Sequence, residues 1–214
     1  VESELIWMRP EKSGVGRPAG RSRAEITEAA VRVADRDGLA GVSMRHVAAE
    51  LGTGAGSLYR YVETRDDLLD LMADHVYAEY DLPSPSGDWL SDLVDMGLQA
   101  REIYRRHPWL AELVLTRPVV GPNGVDVTEH FLAVLADHSA PDGDKLVALA
   151  MLNAIVAAAA RSEASPVDAL RSARYVAHVA AQGKHPHLAA LSGKPEIGDP
   201  LPEALKRILS GLLG

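Results

Sequence analysis

Between residues 43 and 61 the chain sets hydroxyl, basic and aromatic side chains on two short helical patterns separated by Gly52-Thr53-Gly54. Ser43 opens the first pattern, in which Val47, Ala48 and Leu51 fall inward, and Gly52 stops it. Thr53 is read as the cap of the second, which runs through Tyr61. So short a turn holds two helices at a steep angle. The second can then enter the major groove of DNA while the first braces on the backbone. Upstream, Arg17, Arg21 and Arg23 gather at the end of a stretch rich in glycine and proline. Arginines in that setting either keep a disordered tail in solution or follow a minor groove, and the sequence leaves both readings open.

Other chemistry finds no support. There is no Ser/His/Asp order, no glycine-rich phosphate loop and no carboxylate-histidine metal spacing, so an enzyme is not expected. His185-Pro186-His187 is the one tight histidine pair, but the intervening proline interrupts a helix and no carboxylate lies nearby in sequence. No metal and no cofactor are therefore expected. The absence of cysteine excludes disulfide staples and thiolate metal sites.

The elements that must position these residues read as helices throughout, an all-α fold. Ser22 with Glu25 forms a capping box, Ile26, Ala29, Ala30 and Val33 share one face, and Gly38 ends that helix. Asp66 and Asp67 suit the first turn of a fourth helix that runs to about Tyr80. Pro83-Ser84-Pro85-Ser86-Gly87 makes a loop, and helical patterns follow at about 88–106, 109–115, 124–137, 144–163, 166–182 and 202–213. Three parts are expected: a flexible basic arm over 1–21, a helix-turn-helix domain over 22–68, and a helical ligand-binding and dimerisation domain over 69–214.

The net charge of −8 is unevenly spread. Residues 1–62 carry 9 Lys+Arg against 8 Asp+Glu, and residues 63–214 carry 13 against 22. A local basic surface, not a basic chain, is what phosphate contact requires. The most apolar stretch, 146–160, is too short to span a bilayer and reads as a buried helix. With no signal-peptide pattern at 1–8, a cytoplasmic location without membrane contact is the expectation.

The run from Gly41 to Gly52, its continuation Thr53-Gly54-Ala55-Gly56-Ser57-Leu58-Tyr59-Arg60-Tyr61-Val62, and then Arg65-Asp66-Asp67-Leu68-Leu69 resemble the TetR-family signature. A second resemblance, over His107-Pro108-Trp109-Leu110, Thr116-Arg117-Pro118 and Gly121-Pro122-Asn123, is to the C-terminal domain of the tetracycline-repressor subclass. The resemblance implies a homodimer acting on double-stranded, near-palindromic operator DNA as a ligand-released repressor. An alternative is a helical ligand-binding protein with weak or lost DNA affinity.

By position, the resemblance implies that Ser43 caps its helix and offers its backbone N–H to a phosphate. Arg45 would reach a guanine or a phosphate, where its bidentate fork suits guanine O6 and N7. Thr53 would cap the recognition helix, and Ala55, Gly56, Ser57, Arg60 and Tyr61 would face the groove. Tyr59 would donate to a phosphate, and Arg65 would contact the backbone. Leu58 and Val62 would point inward. Tyr61 stands where the family often has histidine, and Gly56 costs a helix about 1 kcal/mol relative to alanine.

The C-terminal helices offer a surplus of apolar residues for a pocket. The candidate ligand-binding residues are Met96, Gln99, Ile103, Tyr104, Trp109, Leu113, Asn123, His130, Phe131, Val134, Met151 and Asn153. The apolar members would make the walls and the polar members would orient a small-molecule effector. The alanine-rich helices at 144–160 and 166–182 are the expected dimer helices, since small side chains permit close approach.

Overall fold

The computed structural model describes residues 4–10, 21–164, 166–191 and 199–214. Among them all regular structure is helical. Ser22 accepts a hydrogen bond from Glu25 N at 3.1 Å while Glu25 Oε2 accepts from Ser22 N at 2.8 Å, so helix α1 (Arg23–Asp37) starts on the predicted capping box. Gly38, at φ 71°, ends it in a conformation that L side chains rarely adopt. Helix α2 (Met44–Glu50) starts on Ser43, whose hydroxyl accepts from His46 N. Gly52, at φ 66°, turns the chain into α3 (Ala55–Leu58). Val47, Ala48, Leu58 and Val62 close the small core beneath α1.

Helix α4 (Arg65–Tyr77) is capped by Thr64 and Asp67 in a second capping box. It packs on α1 on one side and on α7 (Pro122–Val134) on the other. Nearly the whole helix is buried, including Asp67, Asp70 and Asp74. The boundary expected between residues 68 and 69 falls inside this continuous helix, so α4 is a wall shared by head and body.

The body is built on α5 (Trp89–Arg106), α8 (Asp142–Ala164) and α11 (Leu201–Leu213), which pack on one another, with α6 (Pro108–Leu113) against α8. In α11 a leucine recurs every fourth residue, Leu201, Leu205, Leu209 and Leu213, and all four are buried. Helix α8 has 23 residues, more than the expected 15-residue apolar core, and by length and composition it would suffice to cross a membrane. Here one face of it lies in the core with α5, α6 and α11. Helix α9 (Pro166–Ala180) and the short α10 (Pro186–Leu191) complete the chain order. Pro186, read as an interruption between two histidines, instead opens α10, because proline at the first helical position loses no hydrogen bond.

The expected flexible arm needs correction where it is described. Leu5–Arg9 lies against the body in a 3-10 turn (Ile6–Met8), and Ile6 is wholly buried. Arg17 lies outside the described residues.

Leu205 sits where α11 meets α5 and α8. Leu205→Ala should lower the unfolding free energy by about 2–5 kcal/mol, read as a shift of the urea midpoint.

Candidate DNA-reading head and ligand cavity

In the head, Arg45, His46, Gly56, Tyr59 and Arg60 are exposed, while Ser43, Thr53, Ala55 and Ser57 are half-buried. The exposure of Tyr59 is 51%, a large amount for an aromatic side chain, and among the described residues its hydroxyl has no hydrogen-bond partner. His46 Nδ1 lies 2.7 Å from Gly41 O, which ties the start of α2 to the turn before it. A Cβ on Gly56 would meet nothing within 4 Å, so the fold itself does not require glycine there.

Four expected contacts are placed differently. Tyr61 is buried rather than groove-facing: α3 holds only four residues, and the following turn carries Tyr61 inward, where its ring lies 5.9 Å from the Arg60 guanidinium. The cap of α3 is Gly54, not Thr53; the Thr53 hydroxyl bonds that of Ser57 at 3.0 Å. Arg65 donates to Val42 O at 3.2 Å and Leu39 O at 3.0 Å, so it braces the turn before α2. Arg21 donates to Leu51 O at 2.6 Å, at the carbonyl end of α2. A backbone carbonyl, the core or, for Thr53, a neighbouring hydroxyl takes a side chain that helical spacing alone leaves free.

The body holds a cavity of 380 Å³ between the end of α4, α7, α8 and the 114–119 segment. Tyr77, Val114, Leu115, Pro118, Val119, Val127, Leu146, Leu149, Ala150 and Ala154 supply apolar wall, with Thr128 and Asn153 as polar members. The Thr128 hydroxyl is already bonded to Gly124 O at 2.9 Å. Among the described residues the Asn153 amide has no protein partner, which leaves it free to orient a ligand.

Of the expected pocket residues, Asn153 lines this cavity and the others do not. Met96, Ile103, Tyr104, Leu113, Phe131 and Val134 are core. Met151 points outward. Gln99 bonds the backbone N and O of Asp81, and with Met96 and His130 it borders a separate 50 Å³ recess under Pro83 and Pro85. Asn123 is held by Asp74, and Trp109 Nε1 donates to Asp35 Oδ1 of α1 at 2.7 Å. The overlooked wall on α8 had a signal: Leu146, Leu149, Ala150, Asn153 and Ala154 form one helical stripe.

Head and body are joined by buried polar contacts. Burial pushes the Asp70 carboxyl up, and Arg117 at 2.9 Å pulls it back only in part. Burial likewise pushes Asp74 up, against hydrogen bonds from Gly124 N at 2.8 Å and Asn123 Nδ2 at 2.9 Å. His107 stands between Asp35 of α1, at 2.7 Å, and Glu79, at 3.0 Å. Burial raises the phenols of Tyr77, a cavity wall, and of Tyr80 and Tyr104.

A helix-turn-helix head on an all-helical, cavity-bearing body is the architecture of a ligand-responsive DNA-binding regulator. Residues 26–72 match the family described as "Bacterial regulatory proteins, tetR family", and residues 82–213 match "Tetracyclin repressor-like, C-terminal domain". The chain is 37% identical over 226 residues to the HTH-type transcriptional repressor DrrR1 of Streptomyces coeruleorubidus, covering 98% of this chain and 83% of the relative. It is 38% identical over 159 residues to an HTH-type transcriptional regulator of Saccharopolyspora erythraea, covering 74% and 67%. Its fold is similar to that of the Streptomyces coelicolor TetR family protein ActR in complex with (S)-DNPA, with TM-score 0.79, 31% identity and coverage of 90% and 97%. It is also similar to ActR in complex with actinorhodin, with TM-score 0.76, 28% identity and coverage of 91% and 96%. The chain belongs to the TetR family of transcriptional regulators.

Burial pushes the Glu79 carboxyl up, but hydrogen bonds from Arg106 and His107 outweigh it and hold the group below its usual range. A lowered folded value contributes stability above the ordinary glutamate range, and that contribution is lost as pH falls through the folded value. Glu79→Gln should therefore lower the melting temperature at about pH 7, and the gap to the parent should narrow as pH falls through the lowered folded value of Glu79. Thermal melts across that range measure it.

Proposed function

We propose that this protein is a repressor that binds a near-palindromic operator as a homodimer and leaves it when a small, mostly apolar molecule fills the 380 Å³ cavity. The observation that carries the reading is the union, on one helix, of head and cavity: α4 packs on α1 and ends in Tyr77, a cavity wall. A ligand that prefers one position of α4 then shifts the head, whereas a ligand indifferent to that position shifts nothing. The volume lies within the roughly 300–1,000 Å³ usual for small-molecule sites. The walls carry no charged side chain, which favours an uncharged ligand with one group complementary to the Asn153 amide. Actinorhodin and (S)-DNPA, bound in the similar ActR, support a small organic effector.

For DNA, Arg45 is the proposed base reader and Tyr59 a phosphate donor, with the Ser43 N–H beside them. Ala55, Gly56, Ser57 and Arg60 make the surface that enters the groove, and the bare Gly56 lets backbone approach the duplex closely. Arg65 and Arg21 act from behind, by holding α2 in place. Leu146, Val147 and Met151 on α8, with Val167, Leu170, Tyr175 and Val176 on α9, leave an apolar surface that suits the twofold partner. As a regulator of transcription the protein works where the chromosome is, in the cytoplasm.

Selection of genomic fragments with the purified full chain should enrich a near-palindrome with half-sites about 34–36 Å apart. Binding should weaken steeply as salt rises. Enrichment of no sequence would overturn the repressor reading in favour of a ligand-binding protein without an operator. On the selected duplex, Tyr59→Phe should weaken all sequences alike, whereas Arg45→Ala should erase about 1–3 kcal/mol of discrimination at one base pair. Gly56→Ala should leave the melting temperature level or raise it while weakening DNA binding. A gel-shift titration at fixed salt separates these outcomes.

A further inference from the structure

Residues 5–9 link two places far apart in the chain. At one end Trp7 Nε1 donates to Val120 O at 2.5 Å, and Val120 follows Pro118 and Val119, which are cavity walls. The approach is close: a Cβ on Gly121 would lie 2.7 Å from Trp7 Cζ2 and 2.4 Å from Asp74 Oδ1. At the other end Arg9 bonds Glu63 Oε2 at 2.9 Å and also the carboxylate of Asp67, the residue that closes the α4 capping box. Arg23 fastens the two ends together. It donates to Arg9 O at 2.9 Å and to Ile6 O at 3.3 Å, and through Nε to Tyr61 O at 3.1 Å, just after the recognition helix. Ile6 anchors the middle in the core. Trp7 does not fill the space beneath it: a 330 Å³ cleft bounded by Arg23, Thr27, Asp74, His75 and Asn123 remains.

We propose that residues 5–9 are a strap that couples the 118–121 wall of the cavity to the end of the recognition helix and the start of α4. It acts in parallel with the direct pairing of Arg117 to Asp66 and Asp70. The inference deepens the ligand-release reading by naming a route for it, and it rests on that reading for its trigger. A ligand that displaces Val119 moves Val120 O away from the indole, Trp7 drops toward the cleft, and Arg9 and Arg23 lose their alignment on Glu63, Asp67 and Tyr61. The route is a contiguous set of hydrogen bonds with room to adopt a second arrangement, which is what transmission between sites requires.

Coupling between sites is reciprocal, so the strap can be tested from both ends without ligand or DNA. Hydrogen exchange is followed by mass spectrometry on the full chain and on two conservative variants. Trp7→Phe removes the indole bond to Val120 and the ring edge beside Gly121, both at the cavity end, yet it should speed exchange of the amides at 60–67. Arg9→Gln removes only the ion pairs at the head, yet it should speed the amides at 119–124. Each distant effect should reach about fivefold, the lower end of site-to-site coupling, while the amides of α8 and α11 stay at their parent rates. Faster exchange confined to the mutated end, or spread equally through α8 and α11, overturns the proposal. Because no operator or effector enters the experiment, its failure leaves the repressor reading standing, and failure of the operator selection leaves the strap standing.

Discussion

The structure depends on the need of three buried carboxylates on one helix for partners. Asp67, Asp70 and Asp74 lie on α4 with little access to water. An ionised carboxylate left there without donors would cost several kcal/mol. The donors come from three segments distant in sequence: Arg9 from the N-terminal strap, Arg117 from the segment after α6, and Asn123 with the Gly124 N–H from the start of α7. Each pairing fixes the position of a segment that apolar packing alone would leave free to slide. Burial pushes the Asp70 and Asp74 carboxyls up, against the donors that hold them.

That arrangement gives α4 its place in the mechanism. Its first turn carries the cap that follows the recognition helix, its middle holds the segment that walls the cavity, and its last residue is itself wall. The 118–121 segment is flanked by the residues that hold α4, Arg117 through its ion pairs to Asp66 and Asp70, and Asn123 and Gly124 through their hydrogen bonds to Asp74. Packed interiors resist gradual deformation, which favours a shift between discrete positions. A second junction, where Asp35 receives both Trp109 and His107, ties α1 to the start of α6.

Most of the fold was legible in the chain, because helix ends are local events. Ser22 with Glu25, Gly38, Ser43, Gly52 and the acidic first turn of α4 all act within four residues of themselves, so their spacing is enough to read them. Long-range partners were not legible. Tyr61, Thr53, Arg65 and Arg21 were assigned to DNA by position, but the core claims Tyr61, the Ser57 hydroxyl Thr53, and backbone carbonyls the two arginines. Trp109 and Asn123 were assigned to a ligand, but carboxylates on α1 and α4 hold them. A polar side chain takes whichever donor or acceptor the fold brings within 3 Å, and spacing along a helix does not reveal which that is.

The helix-turn-helix and the order of the helices were written in the chain, because caps, glycine stops and apolar periods act over one or two turns, and the family followed from the resemblance of the 41–69 and 107–123 segments to it. Only the tertiary structure decided where the cavity opens, which face of α8 lines it, and that residues 5–9 are docked against the body. The physical reason is the same in each case. A cavity is the volume that several packed segments fail to fill, and a docked strap is held by donors and acceptors 14 to 113 residues away, so neither is a property of any local stretch of chain.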